Sequence, residues 1–142
     1  MKMLVPITAL VLLTAQLSWA QTRSRNELSE LARARCMALA DRWASCDKLK
    51  AEGDFLECNR QMLAAYEVEI ARLTTEVRST LPKSQLNSFN AAANEWQRYF
   101  VAEKVHLKRL NDHLGTVSWI GLHAGLVGIA KSRCDYLSGQ FL

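Results

Sequence analysis

Four cysteines, Cys36, Cys46, Cys58 and Cys134, constrain what this chain can fold into more than any other feature. If they pair, two covalent links fix which segments lie side by side. If they stay reduced, they are small apolar side chains or reactive thiols. The compartment decides, because disulfides persist in oxidising, exported settings. The N-terminus therefore comes next. Met1-Lys2-Met3 supplies one positive charge, Leu4 to Leu13 is apolar apart from Thr8, and small Ser18 and Ala20 precede polar Gln21. That is the layout of a secretory signal peptide over residues 1–20, with cleavage expected after Ala20. The apolar run is short for a bilayer core of about 30 Å, which disfavours an anchor helix. No cysteine follows the small residues and no twin-arginine pair precedes them. All four cysteines survive the cleavage and read as two disulfides, with three possible connectivities.

The expected mature chain, residues 21–142, suits a single helical domain. Leu28, Leu31, Leu39, Trp43, Cys46 and Leu49 recur at helical spacings, so a first amphipathic helix is expected from about Asn26 to Lys50. Glu52-Gly53-Asp54 interrupts it, with Gly53 free to take the left-handed conformation that ends helices. Phe55, Met62, Tyr66, Ile70, Leu73, Val77 and Leu81 mark a second helix, stopped by Pro82. Ser84 is expected to cap a third, with the stripe Leu86, Phe89, Ala93, Trp96, Phe100, Leu107, Leu110 and Leu114. Gly115 and Thr116 break that helix. No strand-like alternation is sustained, and no internal repeat appears. Short connections between long helices predict an all-α fold, an antiparallel up-down bundle of three or four helices.

The bundle selects the disulfides. With a hairpin turning near Glu52, Cys46 and Cys58 each lie six residues from its centre and face each other. A last helix beginning near Val117 places Cys134 about 25 Å along the bundle, at 1.5 Å per residue. Cys36, 16 residues from Glu52, reaches nearly the same depth. A Cys36–Cys46 pair would span about 15 Å of one straight helix, against a Cα limit of about 7 Å. The pairs expected are Cys46–Cys58 and Cys36–Cys134.

Charge narrows the partners. Cleavage removes one of the 18 basic residues and none of the 14 acidic ones, leaving about +3. The excess lies early, in Arg23, Arg25, Arg33, Arg35, Arg42, Lys48 and Lys50. Such an arm could meet anionic lipid or cell-wall polymer, peripherally at most, but Glu27, Glu30, Asp41 and Asp47 are interleaved, as on an ordinary solvated helix face. An exported chain is a poor candidate for nucleic acid.

The uncharged run from Gly115 to Ala130 offers several readings. It lacks G-x-G-x-x-G, and the Lys131-Ser132 pair that follows it is preceded by Ala130 rather than a glycine, so it is no phosphate cradle. It is short of the roughly 20 residues a membrane span needs, with His123 at its centre. Its glycines, including Gly121-x-x-x-Gly125, suit a buried helix that approaches a neighbouring backbone closely. Cys134 stands eleven residues from His123, too far along one helix for a thiol and its base, and no C-x-x-C exists. Glu103, His106 and His113 share a helix flank, yet the two histidines are about 10.5 Å apart in rise, too far for one ion. The glutamates at 67, 69, 76, 95 and 103 read as helix-surface charges rather than a glycosidase pair. No enzyme, metal or cofactor is indicated.

From Cys58 to Leu142 the chain resembles the LprI-type lysozyme-inhibitor family, small exported helical proteins of bacteria. Leu63 and Tyr66 on one helix, then Leu86, Trp96 and Tyr99, carry the likeness, with Gly115-Thr116, Cys134 and the final Gln140-Phe141-Leu142. Phe100 stands where the family has an arginine, and Lys104 falls near a family cysteine that is missing here. The resemblance implies a periplasmic or secreted protein whose partner is a cell-wall hydrolase, blocked by occlusion of its acidic cleft. The turn from Asn111 to Thr116, which includes Asp112 and His113 and has Lys108 and Arg109 close by, is the expected binding loop. At about +3, an acidic or bacterial muramidase suits it better than a strongly cationic lysozyme. The alternative is a non-catalytic envelope adaptor that rests its basic first helix on an anionic surface.

Overall fold

A computed structural model describes the backbone of residues 7–113 and 116–141 and the side chains of residues 24–113 and 119–141. Four helices follow in order: α1 (Ile7–Cys46), α2 (Glu52–Thr80), α3 (Lys83–Asn111) and α4 (Thr116–Ser138). No strand occurs among the described residues. The all-α bundle expected from periodicity is the fold observed. The helix α1 runs through Ala20, the expected cleavage position, without a break.

The helices α2 and α4 form the central pair, with α1 on one flank and α3 on the other; among the described residues α1 and α3 make no contact. Apolar side chains at spacings of three and four give α2 a single inward face of Met62, Leu63, Tyr66, Ile70, Leu73 and Val77. It meets Leu126, Val127, Ala130, Cys134 and Leu137 of α4. Ala32, Cys36 and Cys46 close the core from α1, and Phe100 closes it from α3. Full burial of each large side chain contributes about 1.5–3 kcal/mol.

Both disulfides connect the expected partners. Cys46 and Cys58 join α1 to the start of α2 with Cα atoms 5.8 Å apart. Cys36 and Cys134 join α1 to α4 at 5.9 Å. These separations fall in the ordinary range for a bridge, and no cysteine is free.

Several local expectations are corrected. Gly53 does not end the first helix: α1 stops at Cys46, a turn closes through the Lys48 N–H on Ser45 O and the Leu49 N–H on Cys46 O, and Gly53 lies in the first turn of α2. Glu52 and Asp54 occupy that same turn, where negative charge complements the exposed N–H groups. Pro82 stops α2 as expected, but it also occupies the N-cap position of α3. Ser84 therefore sits inside α3 and caps nothing. Leu31, Leu49 and Leu110 point outward, with Leu31 58% exposed. The inward face of α1 is centred on Ala32 and Cys36, and a helix turns about 100° per residue, which carries Leu31 to the rim. Leu49 lies in the turn beyond α1.

The glycines of α4 meet a different fate from the one expected. The run is helical, but Gly121 and Gly125 are exposed, with open space where a Cβ would stand. Only Gly128 faces a neighbour, with its Cβ position 3.9 Å from the Trp43 ring. Close backbone approach is not what the Gly121–Gly125 spacing serves.

Candidate functional site

The corner expected to bind a partner is built by the end of α3. Phe100 and Leu107 hold the inner side of that helix, and Asn111 is buried at its last turn. Lys108 and Arg109 supply positive charge where the last carbonyls carry a partial negative charge. The Asp112 N–H returns to the Lys108 carbonyl at 3.1 Å and closes the helix. Lys108, Arg109, Asp112 and His113 are all exposed. None of the four makes a side-chain hydrogen bond or ion pair to another described residue. The structure thus presents them within six positions on the outer side of one turn, beside exposed Leu110. Leu114 and Gly115, and the side chains of Thr116 to Ser118, lie outside the described residues.

The other chemical candidates disperse. His106 and His113 are solvent-exposed and Glu103 is half-buried. Among the described residues no three His, Cys, Asp or Glu side chains gather as metal ligands. Cys134 is oxidised, and His123 Nδ1 donates to the Trp119 carbonyl at 2.8 Å while its ring tilts against the indole.

The glutamates are not all surface charges. Glu69 is 7% exposed. It accepts from Arg35 Nε at 2.8 Å, and Arg35 Nη2 reaches Glu76 at 2.6 Å, so one α1 guanidinium grips two α2 carboxylates. Arg72 joins the same cluster through Glu69. Burial works against the Arg35 charge, but its hydrogen bonds to Glu69 and Glu76, with the negative charge of both carboxylates, outweigh it and raise the guanidinium above its ordinary pKa. Glu67 pairs with Lys104 across α2 and α3. Arg35, counted in the basic arm, is therefore an internal clamp.

The sequence reading missed a groove beneath α3. It has a volume of about 450 Å³ and runs between α2 and α3 with Arg133 of α4 on its wall. The Arg133 guanidinium lies 5.2 Å from the ring centroids of both Trp96 and Tyr136. Its Nε is buried without a hydrogen-bond partner. Burial pushes this guanidinium below its ordinary pKa, which Tyr136 partly opposes. The available signal was an arginine three residues before Tyr136 on a helix otherwise poor in charge.

Both disulfides are closed, which belongs to an oxidising, exported environment. No helix among the described residues is long and apolar enough to cross a membrane. Comparison with protein-family models, curated proteins and solved structures finds no match to this chain.

Proposed function

We propose that this protein is a periplasmic or secreted binding module that docks on a lysozyme-like peptidoglycan hydrolase and blocks it by occlusion rather than by chemistry. The observation that carries the reading is the exposed corner of Lys108, Arg109, Asp112 and His113 on a disulfide-tied bundle. A rigid frame lowers the entropy lost on docking, and two cations with a histidine complement a cleft built around two carboxylates. The likeness of the segment 58–142 to LprI-type inhibitors supports the same class of partner. Arg35 is spent on Glu69 and Glu76, so fewer free cations face outward from α1 than an adaptor on an anionic surface would use.

The test is inhibition of peptidoglycan lysis by several muramidases, acidic and basic, with purified oxidised protein. Inhibition at micromolar protein is expected. It should weaken at least about tenfold when Lys108, Arg109, Asp112 and His113 are replaced together by alanine. Undiminished lysis by every muramidase would retire the reading.

A further inference from the structure

The groove under α3 is separate from the exposed corner and stands independently of the hydrolase reading. Its defining feature is a cation with no anion. Arg133 makes no ion pair and no hydrogen bond among the described residues, and its Nε–H is buried. Trp96 and Tyr136 set their rings beside the guanidinium, and among the described residues no oxygen, that of the Tyr136 phenol included, accepts a hydrogen bond from it. A buried donor without a hydrogen-bond partner is costly. An anion entering the groove would remove that cost through short, charge-assisted hydrogen bonds.

The rest of the wall narrows the anion. Glu67 is already paired with Lys104, so it does not neutralise Arg133. Arg78, whose Nε donates to Asn90 Oδ1 at 2.8 Å, adds a second positive charge at the rim. The hydroxyls of Thr74 and Thr75 donate to the Ile70 and Ala71 carbonyls, so toward a ligand they can only accept. Asn94 and Gln97 offer side-chain amides, which donate and accept. The stacked Trp96 and Phe100 rings, 4.9 Å apart, give an apolar wall. A ligand matching this surface carries a carboxylate, an N–H to give to a hydroxyl oxygen, and a small apolar body. A volume of about 450 Å³ admits a molecule of two or three amino-acid units, at the small end of ordinary ligand pockets.

We infer that the groove between α2, α3 and α4 is a binding site for the free C-terminal carboxylate of a short peptide, with Arg133 as the anion-binding residue. Arg78 assists at the rim, and Trp96 packs on the peptide body.

The experiment titrates the oxidised, ¹⁵N-labelled full chain with N-acetyl-alanyl-alanine, with its C-terminal amide, and with inorganic phosphate. The acid should shift the Arg133 Nε–H and Trp96 indole resonances saturably, while the amide leaves them in place and phosphate binds at least about tenfold more weakly. Arg133→Gln should lower affinity for the acid at least about tenfold, and Arg78→Gln about threefold. If Arg133→Gln does not fold, the contrast between acid and amide on the unsubstituted protein still decides. Equal binding of acid and amide, phosphate binding as tight as the acid, or no shift with any probe would overturn the assignment.

Discussion

Cys36 and Cys134, 98 positions apart, are joined with their Cα atoms 5.9 Å from each other, so the first and last helices are tied together. The Cys46–Cys58 bridge spans only 12 positions. Constraint of the unfolded chain grows with loop length, contributing about 3 kcal/mol for the short loop and about 4 to 5 for the long one. Replacing Cys36 and Cys134 together by alanine should therefore cost more stability than replacing Cys46 and Cys58. Urea unfolding of the two double variants checks the order.

Arg35 is predicted to hold α1 against α2 through Glu69 and Glu76. Arg35→Met should destabilise by about 1–2 kcal/mol, because it leaves nearly buried Glu69 with Arg72 alone. Glu69→Gln should cost a similar amount. A double-mutant cycle should give a coupling of about 0.5 kcal/mol or more, whereas simple additivity would mean the contact does not bind the helices.

Gly121 and Gly125 face open space on α4. Alanine at either position should raise stability by about 0.5–1 kcal/mol, by lowering the backbone entropy that folding removes. A loss of stability in these variants would mean that something covers this face. Thermal denaturation of each single variant reads the sign directly.

The Tyr66 phenol is fully buried, its hydroxyl has no hydrogen-bond partner, and its pKa is pushed up from 10.0 to about 12. Burial is the main cause, and the charge on Asp135 adds to it. The unfolded chain releases this proton near pH 10 and the folded one near pH 12. Between those values the folded state binds more protons, so the stabilisation present below pH 10 is lost as pH rises. Tyr66→Phe removes this contribution and an unsatisfied buried hydroxyl. It should be as stable as the parent or more so at neutral pH, and it should lose less stability between pH 10 and pH 12. Denaturant midpoints across that range make the comparison.

The legible part of this structure was what periodicity and rise per residue control. The stripe from Met62 to Val77 specified α2, Pro82 fixed its end, and counting residues from the hairpin put Cys36 level with Cys134. The illegible part depended on which helix lies opposite which. The stripe of α3 looked as apolar as that of α2, yet only Phe100 among its apolar residues is buried, because α3 lies outside the α2–α4 pair. Arg35 and Glu69, 34 positions apart on different helices, share no spacing that marks them as partners. The Gly121–Gly125 repeat shows that both lie on one face and leaves open whether that face is inward. Arg133 was hidden for the same reason: its importance comes from Trp96 on another helix. The corner of Lys108, Arg109, Asp112 and His113 was expected from family likeness and turn position, and the structure leaves these four side chains in solvent.

The central claim is that four exported sulfurs close two specific clamps on a helical frame, and tryptic mapping without reduction tests it most directly. Trypsin cuts after Arg35, Arg42, Lys48, Lys50, Arg60 and Arg133, which places each cysteine on its own peptide. Protein isolated from its native compartment should yield the peptide beginning at Cys36 linked to the one beginning at Cys134. The peptide from Trp43 to Lys48 should be linked to the one from Ala51 to Arg60. Four free thiols, or a Cys36 peptide linked to the Cys46 peptide, would contradict the account.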